Sequence, residues 1–169
     1  MTDSEIKFEV SVEVAEDAVA VVVRDGETES RATIQRSAEV DPQAYIPIGT
    51  RDAAHLTMLL DGATVALEPG PGRYTRGSYK VAAVHNGQRY LLAPASEVSS
   101  RFSRDGVALG EFARDRSGEI RVWWDRGAVV GAADAAVGYA LAAAFGTGAK
   151  FFLAALFDGP GPDVPATPL

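Results

Sequence analysis

The chain contains no cysteine, which removes disulfide scaffolds, thiolate zinc sites and cysteine nucleophiles together. Histidine is nearly as scarce. His55 and His85 stand thirty residues apart, so neither H-x-x-x-H nor H-E-x-x-H occurs. His85 belongs to a turn sequence and reads as solvated, while His55 reads as a partly buried residue at the edge of a short element. There is no G-x-S-x-G elbow for a serine hydrolase. FGTGAKFF places glycines ahead of Lys150 but misses the Walker spacing, since Ala149 separates Gly148 from the lysine and Phe151 stands where a hydroxyl would hold magnesium. The sequence therefore implies no metal and no cofactor. The opening MTDSEIKFEV has acidic residues where a secretory signal carries positive charge and an apolar run, and a cytoplasmic location is the expectation.

Positive charge is also in short supply. The net charge is −7 over 169 residues, which disfavours nucleic acid and anionic membrane as general partners. What basic charge exists is mostly arginine, and with abundant alanine and glycine this suggests a GC-rich bacterial genome. The distribution is uneven. Residues 1–29 hold nine acids against two bases, whereas 69–96 hold no acid and four bases. That basic stretch, RYTRGSYK followed by QRY, supplies the candidate ligand-binding residues Arg73, Tyr74, Arg76, Tyr79, Lys80 and Arg89. If the loop folds over the Asn86-Gly87 hairpin, these cations converge on a small anionic ligand or an acidic protein partner. The alternative is that they neutralise the acidic N-terminal strands of the same sheet. The acidic set Glu9, Glu13, Glu16 and Asp17 reads as the wet face of that sheet.

Two kinds of hydrophobic pattern organise the rest. IKFEVSVEV alternates with period two, as a strand with one buried face does. AVAVVV, Ala18 to Val23, is continuous and β-branched, which predicts a strand covered on both faces, with Asp25-Gly26 turning the chain into TESRATIQ. Residues 41–49 form a loop. For TRDAAHLTMLLDGATVALE the expectation is a short helix or turn capped by Thr50 and then a strand, with a hairpin about Asp61-Gly62 as the alternative. EPGPGRYTRG is a second loop. YKVAAV and RYLLA flank Asn86-Gly87 as a hairpin, and SSRFS, VALGEFAR and EIRVWW continue an antiparallel meander.

The second pattern is the apolar stretch from Gly127 to Phe157. A bilayer span needs about 20 apolar residues, and the stretch is long enough. Asp134 and Lys150 interrupt it, and most of the remainder is weakly hydrophobic alanine and glycine. Two helices, about 128–145 and 149–157, broken at Gly146-Thr147-Gly148, are expected instead. In the first, Val130, Val137, Leu141 and Phe145 form one stripe, and Gly138, Ala142 and Gly146 a row of small residues that lets another backbone approach. Asp134 falls on the apolar stripe, so its carboxylate needs a partner or serves a function. The tail from 158 to 169, with four prolines, is expected to be flexible.

The order of elements in FSRDGVALGEFARDRSGEIRVWW followed by DRGAVVGAADAAVGYALAAAF resembles the end of the tubby-like barrels, a group that includes the phospholipid scramblase and LURP-one relatives. The resemblance covers about the last third of the chain. It implies an antiparallel barrel enclosing its C-terminal helix, and with it a peripheral membrane or lipid-binding role.

Together these readings predict an α+β fold: a mostly antiparallel β-sheet or partly closed barrel packed on or around an apolar C-terminal helix, in one domain over 1–157. The expected function is a non-enzymatic binding or interaction module. The alternatives are the lipid-binding role and an enzyme using buried carboxylates. The C-terminal helix also offers a surface for homo-oligomer formation.

Overall fold

The computed structural model describes residues 6–73 and 75–148. Ten strands form one antiparallel sheet in which every strand pairs with its neighbours in sequence: β1 (Glu9–Val14), β2 (Ala18–Asp25), β3 (Thr28–Arg36), β4 (Leu56–Leu60), β5 (Ala63–Pro69), β6 (Val81–His85), β7 (Gln88–Pro94), β8 (Ser99–Arg104), β9 (Val107–Arg114) and β10 (Ile120–Trp124). Among the described residues one helix, α1 (Ala132–Phe145), follows, and the fold is α+β. The sheet curls into a half-barrel around this helix.

The turns explain much of the order. At Asp61-Gly62 the aspartate itself takes φ 50°, and its Oδ1 accepts the amide of Arg31 at 2.8 Å, tying the β4–β5 turn to β3. Asp105-Gly106 repeats the arrangement, with Asp105 Oδ1 accepting the amide of Arg89 at 2.8 Å. An aspartate in the left-handed region thus closes its own hairpin and satisfies a free donor on the adjoining strand.

Three expectations change. LTMLL is the strand β4, preceded only by a 3-10 turn at Ala53–His55. The turn's cap is Asp52, which accepts from the Ala54 amide, while the Thr50 hydroxyl accepts from Asp52. The Asp61-Gly62 turn prevails because β3 already offers a partner for β4. Second, β2 is covered on one face only. Val19, Val21 and Val23 are buried and Ala20 and Val22 are half-buried, because among the described residues the sheet has a helix on its inner side alone. Third, α1 starts at Ala132 rather than near 128. Asp134 Oδ2 accepts the amide of Gly131 at 2.9 Å, which makes Gly131 the cap and leaves Val130 in the preceding loop. The second expected helix, 149–157, and the tail lie outside the described residues.

The helix is the core. Of its fourteen residues only Ala133 and Tyr139 are not buried. Val137, Leu141 and Phe145 lie inside with Val21, Ile34, Met58, Leu92, Phe102 and Phe112. At Gly138 the small residue admits aromatic side chains, where the expectation was another backbone. Added at Gly138, a Cβ would lie 2.5 Å from Cζ of Phe112 and 3.1 Å from Cε2 of Phe102, so the aromatic rings of β8 and β9 rest directly on the helix backbone. A 14-residue helix is about 21 Å long, short of the roughly 30 Å hydrocarbon layer. Among the described residues no helix is long and apolar enough to cross a membrane.

Both ends of the helix are fastened by polar contacts. At the start, Asp134 Oδ1 accepts the Tyr90 hydroxyl at 2.6 Å and Oδ2 accepts Arg104 Nη1 at 2.6 Å, in addition to the Gly131 amide. At the finish, the Ile48 amide donates to the Ala144 carbonyl at 2.9 Å. The Thr147 hydroxyl donates to the Val98 carbonyl and accepts the Arg114 amide. These bonds satisfy groups that a helix end otherwise leaves unpaired.

Candidate functional site

The loops at the end of the sheet where α1 finishes enclose a cavity of about 490 Å³. Residues 40–55 form one wall, Pro71, Gly72 and Arg73 the opposite one, and Tyr79 and Phe145 the base. Proline and glycine dominate the second wall for a steric reason. Gly72 takes φ 63°, and a Cβ there would fall 2.8 Å from Arg51 Cδ. At Gly70 it would fall 2.2 Å from the Ser78 carbonyl oxygen. Without side chains at these points the 70–80 loop folds down on Arg51.

Arg51 is the organising residue. It is half-buried, with Nη1 donating to the Gly70 carbonyl at 3.1 Å and Nη2 to the Tyr79 carbonyl at 3.0 Å. Its guanidinium carbon lies 5.2 Å from the centre of the Tyr79 ring and 5.6 Å from that of Phe145, both within range of a cation–π attraction. Among the described residues it has no carboxylate partner. Burial accordingly pulls its pKa down from the ordinary guanidinium value to about 10, partly opposed by Tyr79. Two carbonyls, two rings and no anion leave a desolvated positive charge facing a cavity. The imidazole of His55 is 3.7 Å from Asp52 on the same wall.

The basic stretch chosen from sequence is divided by the structure. Arg73 and Tyr79 line the cavity, Tyr79 buried and Arg73 exposed at the rim. The Arg73 backbone is held by the Ser78 hydroxyl, which accepts its amide at 2.8 Å and donates to its carbonyl at 2.9 Å. Arg76 and Lys80 lie on the same loop, exposed to solvent and outside the cavity lining. Tyr74 lies outside the described residues. The expected convergence over the Asn86-Gly87 turn does not form, because the 70–80 loop joins β6 at Val81, the end of that strand away from the turn. Arg89 sits near the turn and pairs with Glu68 on β5 across the sheet, an arrangement that neutralises charge locally.

Asp134 has its structural explanation. Its two oxygens accept three hydrogen bonds, and it is 8% exposed, set beneath the sheet rather than in the cavity. Sequence reasoning missed Arg51. Its neighbours in TRDAAH give no motif, and its partners come from 70–79 and from Phe145, contacts that only the fold creates. The available signal was the pair of glycines in EPGPGR, a sign of close backbone approach.

The chain matches no family model, no curated protein and no solved structure.

Proposed function

We propose that this protein is a non-enzymatic binding module that holds a small anionic ligand in the cavity above Arg51. The observation that carries the reading is a half-buried guanidinium with no carboxylate partner among the described residues, opening onto about 490 Å³ of space. A carboxylate or phosphate group there gains a charge-assisted bond to Arg51 in a partly desolvated site. Tyr79 and Phe145 offer apolar surface to the body of the same ligand, and Arg73 adds a second cation at the rim. Pockets that pair aromatic walls with one or two placed charges are the ordinary form of a small-molecule site.

Phenyl phosphate and benzoate are suitable probes for calorimetric titration. Arg73→Glu should weaken binding at least tenfold, since a charge-assisted hydrogen bond contributes about 1.5–3 kcal/mol. Arg76→Glu, on the same loop but outside the cavity, should change it less than twofold. Equal effects of the two substitutions would point to diffuse loop charge in place of the cavity, and the absence of binding at millimolar probe would remove the site.

A second reading is peripheral lipid handling, supported by the tubby-like resemblance and by a sheet wrapped around an apolar helix. It predicts salt-resistant sedimentation with vesicles that disappears when the segment after Gly146 is deleted.

A further inference from the structure

The cavity above Arg51 carries charge of both signs. Asp52 follows Arg51 in the chain and lines the same space, yet among the described residues no ion pair joins the two. The fold holds them apart. Arg51 is drawn beneath the 70–80 loop by the carbonyls of Gly70 and Tyr79. Asp52 is committed to the residues that follow it, where its Oδ1 accepts the Ala54 amide at 3.0 Å and caps the 3-10 turn Ala53–His55. Its Oδ2 makes no hydrogen bond among the described residues. His55 Nε2 lies 3.7 Å away, too far for one, and the Asp52 side chain is 59% exposed.

Opposite charges that share a cavity without neutralising each other restrict what the cavity can hold. A simple anion that reaches Arg51 is repelled by Asp52, and a simple cation that reaches Asp52 is repelled by Arg51 and by Arg73 at the rim. A ligand that bears both charges meets each of them favourably. In an α-amino acid the ammonium nitrogen and the carboxyl carbon are about 2.5 Å apart, and with a hydrogen bond at either end the molecule bridges groups about 8 Å apart. That reach falls within a cavity of about 490 Å³. The remaining lining selects the side chain, because Val40, Tyr45, Ile46, Tyr79 and Phe145 offer apolar and aromatic surface.

We propose that the cavity binds a free α-amino acid with an apolar or aromatic side chain, its carboxylate on Arg51 and its ammonium on Oδ2 of Asp52. This rests on the anion site described above and narrows its ligand to one chemical class. Asp52 thereby has two tasks, one oxygen closing the turn and the other facing the ligand.

Calorimetric titration of the full-length protein with three related compounds tests the assignment. L-Phenylalanine has both charges, 3-phenylpropanoate lacks the ammonium and phenethylamine lacks the carboxylate. Phenylalanine should bind at least about fivefold more tightly than either, the upper range for an ion pair that keeps contact with water. Asp52→Asn retains an oxygen to cap the turn and removes the charge. It should abolish the preference for phenylalanine over 3-phenylpropanoate, and since an anion loses only a repulsion, 3-phenylpropanoate should bind the variant no more weakly than the wild type. Equal affinity of the wild type for phenylalanine and 3-phenylpropanoate, or a preference that survives Asp52→Asn, would overturn the amino-acid assignment and leave the anion site standing. Phenethylamine binding as tightly as phenylalanine would overturn the contact with Arg51. Absence of binding by all three at millimolar concentration would overturn the assignment together with the anion site.

Discussion

Replacing Asp134 by alanine should cost about 2–5 kcal/mol of folding stability. Three contacts make up the loss. The Tyr90 hydroxyl, on a residue 1% exposed, keeps only a long contact of 3.4 Å to Gln88 and is otherwise unsatisfied, a penalty of about 1–3 kcal/mol. The helix loses the carboxylate that accepts the Gly131 amide, about 1 kcal/mol by comparison with ordinary caps. Arg104 loses its partner, but its side chain is 24% exposed and can turn towards water, so its share is about 1 kcal/mol or less. Asp134→Asn retains acceptor oxygen and should cost less than the alanine variant. Urea unfolding of both, with an unchanged slope, measures the differences. A cycle with Tyr90→Phe tests the largest contribution, because Asp134→Ala should be milder by about 1 kcal/mol or more once no hydroxyl remains to be orphaned. A loss below 1 kcal/mol for Asp134→Ala, or no coupling to Tyr90, would refute the claim that this carboxylate fastens the helix to the sheet.

Two other perturbations probe the same core. Gly138→Ala gains about 1 kcal/mol of helix propensity, yet its methyl would meet Phe112 at 2.5 Å, so overpacking of about 1–3 kcal/mol should leave the variant less stable in urea; a stabilised variant would mean that the rings do not press on the helix. Burial, and then the hydrogen bond to and charge of Asp134, raise the pKa of Tyr90 above its ordinary value of 10. Above that pH the unfolded chain sheds a proton that the folded chain keeps, so stability falls as pH rises. Arg51, whose pKa is depressed, contributes in the opposite direction over the same range, and the test is therefore the wild type against Tyr90→Phe: the wild type should lose ground steadily from pH 10 upward, and a constant gap would contradict it.

The elements that sequence made legible are those whose signal is local. Asn86-Gly87 and Asp105-Gly106 dictate their own backbone angles, so the hairpins around them could be read directly. LTMLL was not decidable on the same basis, because its choice between helix and strand depended on β3, twenty residues away. The continuous run AVAVVV looked doubly covered because β-branched residues favour strands on either face; which face is buried depends on where the helix lies. The enclosed helix itself was announced by its near-uniform apolar surface, and Asp134 by standing on it. The cavity was only half visible. Arg73 and Tyr79 lay in a basic stretch that drew attention through charge alone, while Arg51 acquires its role from a loop that closes over it.

The central claim is that α1 is sheltered by its own sheet, and native-state hydrogen exchange in detergent-free buffer tests it most directly. Amides from Val137 to Phe145 should exchange only through global unfolding, with the same free energy and denaturant dependence as urea melting. Exchange of those amides through openings several kcal/mol cheaper than global unfolding, with little dependence on urea, would contradict it.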